Sequence, residues 1–169
     1  MIRYLYLLRH AKSDWDDPDL DDHERPLAPR GRRAAKAMAR HLRDAEIHPS
    51  LVLCSSATRA RQTLERVLPS LGDDVRIEVE DGLYTFDSDV VLRRLRRVPA
   101  ANTSILIVGH NPALADLTET LAGAGRDLGS RVAKFPTGAF AVLAVPVAWS
   151  RLRPGGAELV SFVAPRDLP

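Results

Sequence analysis

A chain of 169 residues, 45% hydrophobic and 27% charged, lies in the ordinary globular range and is long enough to bury a core without disulfide or metal staples. A net charge of +2 and an aromatic content of 5% argue against a nucleic-acid partner, which calls for concentrated basic charge and rings for stacking. No apolar run reaches bilayer-spanning length, the N-terminus lacks a signal peptide's layout, and the single Cys54 permits no internal disulfide, so a cytoplasmic protein with no membrane partner is expected.

Tyr4 to Leu8 is a short apolar run that reads as a buried strand and stops at the cationic pair Arg9-His10. By itself the pair reads more simply as an ordinary strand end, because short motifs match by chance. Asp14 to Asp22 holds six aspartates and Pro18 without apolar period, which predicts a mobile surface loop. Its weaker functional reading is a flap that influences which anions approach. Arg25-Pro26-Leu27 and Gly31 lead into a helix of about fifteen residues. Its apolar face is Ala34, Ala35, Met38, Leu42 and Ala45, with Arg and Lys opposite.

Leu51 to Cys54 is wholly apolar and predicts a strand buried on both sides, after which Ser55 or Ser56 can cap a helix. That helix faces inward through Ala60, Leu64, Val67, Leu68 and Leu71. Val75 to Val79 alternates like a third strand, Glu80 to Tyr84 makes a turn, and Ser88 caps a helix through Val91, Leu92, Leu95 and Val98. The densest basic run, Arg93-Arg94-Leu95-Arg96-Arg97, reads as a solvated helix face.

Ser104 to Val108 is the strongest strand of the chain. Gly109-His110-Asn111-Pro112 ends it and starts a helix at once, with Asn111 as N-cap and Pro112 at the first helical position. Leu114, Leu117 and Leu121 face inward and Gly123 stops the helix. Ala139 to Val145 and Leu159 to Val163 have no helix between them, which predicts an antiparallel edge. With no repeat or linker, residues 1–169 read as a single three-layer α/β domain on a mostly parallel sheet, with helices on both faces.

Three strand-to-helix junctions carry related chemistry. Arg9 and His10 follow the first strand, Arg59 lies in the first turn of the helix after the second, and His110 follows the strongest strand. Each has a plain structural alternative: Arg9 pairing a loop aspartate, Arg59 on the surface beside Arg61 and Arg66, His110 bonding a backbone carbonyl. Delivered to one sheet edge, however, two guanidiniums, two imidazoles and free helix N–H groups form an oxyanion cage for which phosphate is the natural guest. Lys12, Ser13 and Asn111 adjoin these positions and are candidate substrate contacts. A neutral imidazole inside such a cage is a competent nucleophile at phosphorus, and the cations around it disfavour its protonation.

Other chemistries fit less well. Cys54 and Arg59 are separated by four residues, one short of the loop of cysteine-dependent phosphatases, and Cys54 suits strand packing. No metal-binding spacing appears, so neither metal nor cofactor is expected. His23, His41 and His48 read as structural or incidental. No glycine-rich nucleotide loop is present.

Leu8-Arg9-His10-Ala11 resembles the Arg-His-Gly signature of the histidine phosphatase superfamily, the phosphoglycerate mutase-like fold. Ser55 to Thr63 is similar to its Ser-Pro-x-x-Arg-Ala-x-Gln-Thr segment, and Val108 to Pro112 to its second-histidine motif. Arg25-Pro26-Leu27 with Gly31 resembles the turn of the small SixA-like branch, the phosphohistidine phosphatases. The resemblance implies that His10 takes the phosphoryl group, that Arg9, Arg59 and His110 bind its oxygens, and that a carboxylic acid after the third strand protonates the leaving group, without a metal. Asp81 is the first choice for that acid and Glu80 the second. Ala11 in place of glycine asks for an ordinary backbone angle, and Ser56 stands where the family has proline.

These observations predict a metal-independent phosphatase with a phosphohistidine intermediate that acts on a phosphorylated protein at phosphohistidine. The alternatives are a phosphomonoesterase for small phosphate esters and a non-catalytic phosphate-binding module. A monomer is expected, with a dimer admissible.

Overall fold

Odd and even residues of the central strands go to opposite faces of one sheet, and that alternation builds two cores. In the computed structural model, which describes residues 1–123 and 128–169, the elements run β1 (Arg3–Arg9), α1 (Pro29–Asp44), β2 (Leu51–Ser55), α2 (Thr58–Val67), β3 (Arg76–Glu80), α3 (Ser88–Arg96), β4 (Ser104–Gly109), α4 (Ala113–Ala122), α5 (Ser130–Lys134), β5 (Phe140–Val145) and β6 (Glu158–Val163). The sheet order is β3-β2-β4-β1-β5-β6. β3, β2, β4 and β1 are parallel, while β5 is antiparallel to both β1 and β6. The architecture is the single α/β domain with an antiparallel edge that the strand pattern implies.

Leu5, Leu7, Leu53, Ile105 and Ile107 pack with Leu92 and Leu95 of α3 and Leu114, Leu117 and Leu121 of α4. Tyr6, Leu8, Val52, Cys54, Leu106 and Val108 pack with Met38 and Leu42 of α1 and Ala60, Leu64 and Val67 of α2. Each fully buried leucine contributes about 2 kcal/mol relative to an exposed one, so β1, β2 and β4 are fixed from both sides. Among the described residues no helix is long and apolar enough to cross a membrane.

Several local expectations shift. β3 is an edge strand whose Ile77 and Val79 are exposed. Ala45 lies beyond the end of α1 and is exposed, and Ile47 is buried instead. Ser88 opens α3 but Asp87 is its cap, accepting the Asp89 N–H at 2.8 Å. α2 starts after Ala57 without a side-chain cap. Pro112 takes the cap position of α4, one residue later than expected, although Asn111 Oδ1 still accepts the Ala115 N–H at 3.3 Å. α5 has no counterpart in the sequence reading. The run from Arg93 to Arg97 is only partly a solvated face, because Arg94 pairs with Glu78 and Glu80 and Arg96 Nε donates to the Leu152 carbonyl at 2.8 Å.

Gly31 is required by space. An added Cβ on Gly31 would lie 2.0 Å from the Lys12 carbonyl oxygen, so the first turn of α1 can rest on the segment after β1 only without a side chain there. Gly31→Ala would push these two segments apart.

Candidate active site

β2, β4 and β1 lie side by side and end at the same edge. The helix after β1 covers one face of the sheet and the helix after β4 covers the other, so the chain parts between these neighbours and leaves a crevice at their carboxyl ends. His10 is the first residue past β1 and His110 the first past β4. The His10 N–H donates to the Gly109 carbonyl at 3.0 Å and ties the two junctions together.

His10 is 6% exposed. Its Nδ1 lies 2.8 Å from the Ala11 carbonyl oxygen. A carbonyl only accepts, so Nδ1 carries the proton and Nε2 keeps its lone pair. Arg59 Nε donates toward that Nε2 at 3.3 Å. Burial first, then the charges of His110, Arg59 and Arg9, outweigh the Ala11 hydrogen bond and lower the His10 pKa to about 3. The His110 ring is 5.2 Å away between centroids. Its Nε2 is 2.7 Å from Ser55 Oγ and its Nδ1 3.5 Å from Arg59 Nη2. Burial and then Arg59 lower its pKa to about 4. Both rings are therefore neutral at neutral pH.

Arg59, buried in the first turn of α2, also donates from Nη1 to the Asp22 carbonyl oxygen at 2.6 Å and from Nη2 to Asp22 Oδ2 at 3.0 Å. Arg9 Nη1 donates to the Phe135 carbonyl at 3.0 Å, while among the described residues its buried Nε has no hydrogen-bond partner. Ala11, fully buried, is not in a left-handed conformation and donates its N–H to Thr63 Oγ1 at 3.0 Å. These groups open into a cavity of about 300 Å³ lined by Arg9, His10, Arg59 and His110 together with Lys12, Ser13 and Asn111. The remaining lining is Trp15, Asp22, Arg25, Phe86 and Thr137. Arg9, Lys12, Arg25 and Arg59 stand against one carboxylate, so the cavity suits an oxyanion.

The comparisons with known proteins agree with this geometry. The profile of the histidine phosphatase superfamily (branch 1) matches residues 5–89. An uncharacterised protein of Mycobacterium tuberculosis is 40% identical over 94% of this chain and all of its own length. The chain belongs to the histidine phosphatase superfamily. Among solved structures, a SixA from Nakamurella multipartitia assigned as a phosphohistidine phosphatase is 33% identical with a TM-score of 0.86, covering 98% of this chain and 97% of that one. The protein histidine phosphatase SixA, solved in complex with tungstate, is 25% identical with a TM-score of 0.79, covering 97% and 98%. The fold is that of the phosphoglycerate mutase-like superfamily, and the likeness is to its SixA-like branch.

The structure thus brings together Arg9, His10, Arg59 and His110 of this histidine phosphatase. It does not bring Glu80 or Asp81 into the cavity. Both Glu80 oxygens accept from Arg94 Nε, at 3.0 and 2.9 Å, and Oε1 also takes Nη2 at 2.7 Å. Asp81 is exposed on the 3₁₀ turn Asp81–Leu83. The reason is that β3 is the edge strand, one strand removed from the crevice, and α3 supplies its acidic residues with a partner. From the same turn it is Tyr84 that reaches inward, with its ring 5.5 Å from His110 and its hydroxyl donating to Asp22 Oδ2 at 2.6 Å.

Asp22 is the acidic residue of the cage, and the sequence offered no periodic signal for it. Burial raises its pKa, but the hydrogen bonds from Tyr84 and Arg59 together outweigh burial and hold it at about 2. Arg25 secures the preceding loop: Nε and Nη2 donate to Asp22 Oδ1 at 3.1 and 3.0 Å, Nη1 donates to Ser13 Oγ at 2.8 Å, and the guanidinium lies 3.3 Å from the Trp15 ring centroid. The aspartate-rich loop is therefore fastened to the site at its far end.

Phe135 was also not anticipated. Its left-handed φ of 41° aims a carbonyl that accepts from both Arg9 and Asn111. Asn111 spends its amide nitrogen on the Lys134 and Phe135 carbonyls, at 2.8 and 3.0 Å, and so shapes the cavity wall. His23, read from sequence as structural or incidental, contacts Ser56 Oγ through Nε2 at 2.9 Å and stands 4.9 Å from the Tyr84 ring. Cys54 packs in the core, where burial raises its thiol to about 12.

Proposed function

We propose that this histidine phosphatase removes the phosphoryl group from protein phosphohistidine through a phosphohistidine intermediate on His10, without a metal. The observation that carries the reading is the unprotonated His10 Nε2, fixed by the Nδ1–Ala11 hydrogen bond and facing a cavity with Arg9, Arg59 and His110 on its walls. In the first step Nε2 attacks phosphorus in line, the bond to the leaving group breaks, and the leaving group departs with that electron pair. The guanidiniums hold the three equatorial oxygens and spread their charge, which is most of what phosphoryl transfer asks of a protein. In the second step water attacks phosphorus, orthophosphate departs, and the electron pair of the P–N bond returns to Nε2.

The state of the acid supports the substrate class. Asp22 is the carboxylate lining the cavity and is held ionised with a pKa of about 2, so it has no proton to give. An alkoxide leaving group needs a proton, whereas an imidazole protonated on its other nitrogen leaves as a neutral ring. The likeness to SixA proteins agrees with this, and Trp15 and Phe86, 67% and 51% exposed at the cavity rim, leave the entrance accessible to a protein surface.

The test is hydrolysis of an aryl phosphate and of a phosphohistidine peptide in EDTA, with His10→Ala as control. The expected result is turnover of both, higher kcat/KM for the peptide, and a loss of roughly 10⁴-fold or more in the variant. Inactivity in EDTA, or a strong preference for alkyl esters over phosphohistidine, would defeat the proposal.

A further inference from the structure

The charge of this chain is unevenly placed. α1 carries Arg30, Arg32, Arg33, Lys36, Arg40 and Arg43 against Asp44 alone, a net +5 in a chain whose total is +2. Arg30 and Arg32 stand in its first turn, which holds no acidic residue, and Arg33 follows directly. The N-terminus of a helix is the positive end of its dipole, so cations there work against the helix that bears them. A sequence that breaks a local rule without local compensation points to a use elsewhere.

The structure gives that use a shape. Arg32, Arg33 and Lys36 of α1 and Arg66 of α2 line one surface groove of about 350 Å³, completed by Pro29 and without a carboxylate. Among the described residues none of these four cations forms an ion pair. Their only hydrogen bonds of note go to backbone: Arg32 Nη1 to the Leu27 carbonyl at 2.9 Å and Arg66 Nη1 to the Gln62 carbonyl at 3.3 Å. Arg94 of α3, by contrast, pairs with two glutamates of β3.

The groove also lies near the catalytic cavity, on elements that both share. Arg66 follows Arg59 by seven residues on α2, which puts both on one side of the helix about 10 Å apart along its axis. On the α1 side, Gly31 rests on Lys12, and the Ala28 N–H donates to the Lys12 carbonyl at 2.9 Å. Lys12 itself lines the cavity. The groove therefore neighbours the cage through α2, which carries Arg59 and Arg66, and through the contact of α1 with the Lys12 segment.

We infer that this groove is a docking surface for an acidic segment of the phosphoprotein substrate, flanking the phosphohistidine whose phosphoryl group enters the cage. The inference deepens the proposed function and rests on it. Four unneutralised cations repel one another, and a segment rich in Asp and Glu relieves that repulsion while steering the phosphorylated ring to His10. A small phosphate ester reaches the cage but not the groove, so the groove discriminates by partner and not by chemistry.

The experiment uses two synthetic phosphohistidine peptides, one with Asp/Glu flanks and one with Ser/Gly flanks, and the double variant Arg33→Glu/Lys36→Glu. Both substituted side chains are exposed and outside the catalytic cavity, so aryl phosphate hydrolysis, measured in parallel, should stay within about twofold. The acidic peptide should exceed the neutral one in kcat/KM by about tenfold at low ionic strength, and lose that advantage at high salt and in the variant. Equal rates for the two peptides in the unmodified protein, or equal losses for both in the variant, would overturn the inference.

Fluorescence anisotropy of the unphosphorylated acidic peptide reads docking independently of turnover. Binding that the variant abolishes, without hydrolysis of either phosphopeptide, would sink the substrate reading and leave the docking surface standing. Absence of binding would sink the surface even if both peptides are hydrolysed. A single-stranded oligonucleotide that displaces the acidic peptide far more strongly than the peptide competes with itself would overturn the choice of a protein partner.

Discussion

Glu80 and Asp22 are both carboxylates clamped by an arginine, yet only one of them belongs to the site. Glu80 ends β3 at the sheet edge, where Arg94 from α3 takes both of its oxygens. Asp22 closes an irregular loop, and Arg59, Arg25 and Tyr84 hold it over the crevice. The difference shows that nearness to a strand end does not decide which acid reaches a crevice. The crevice opens where the chain parts between β1 and β4, and side chains reach it from farther elements as well, Arg59 from α2 and Tyr84 from the turn after β3.

This contrast can be broken most severely at Arg59, the group that joins Asp22 to both histidines. Arg59→Lys keeps the charge but loses the fork that serves His10 and Asp22 together, and kcat/KM should fall roughly 10²- to 10³-fold. Steady-state kinetics with an aryl phosphate checks this, and a loss under threefold would mean that Arg59 does not organise the cage.

A smaller effect separates the two acids. Asp22→Asn removes a negative charge from beside the oxyanion, so inhibition by orthophosphate or vanadate should tighten by about tenfold. Glu80→Gln should leave that inhibition unchanged and cost about 1 kcal/mol of stability through the part-buried Arg94 pair. If Glu80→Gln alters anion affinity as much as Asp22→Asn does, the separation drawn here between edge and crevice is wrong.

The pH dependence of stability sharpens the same point, because the crevice holds its histidines neutral. An unfolded histidine takes up a proton below pH 6.5, whereas His10 and His110 stay neutral down to about 3 and 4. Between those limits the unfolded chain binds more protons, so stability falls as pH falls from 6.5, by up to about 1.4 kcal/mol per pH unit for each ring. Above pH 6.5 the two rings contribute no slope. Urea midpoints from pH 7 to pH 4 should show this decline, and His10→Gln should flatten it; an unchanged slope would mean that the buried ring is charged in the folded protein.

The strands and the four cage residues were legible in the sequence because each leaves a strong physical mark. β1, β2 and β4 are buried on both faces, so they read as unbroken apolar runs, and a cation or imidazole just beyond such a run stands out. Asp22 left no such mark: it is one of six aspartates in a stretch without period, and its place depends on Arg59 and Tyr84, which are distant in sequence, as well as on the neighbouring Arg25. Phe135 contributes a backbone carbonyl, which no side-chain pattern reports. Glu80 and Asp81 followed the right rule about strand ends, but β3 lies at the edge, and sheet order is set by packing that a single sequence does not spell out. The cap of α4 missed by one residue because Asn111 serves the Phe135 segment as well as the helix.

The proposed nucleophile is Nε2 of His10, since Nδ1 is occupied by the Ala11 carbonyl. Phosphorus NMR and peptide mass spectrometry of the enzyme, quenched in alkali during turnover of an aryl phosphate, test it directly. One acid-labile phosphoryl group is expected on His10, attached at Nε2. A phosphoryl group on any other residue, or on Nδ1 of His10, would contradict it.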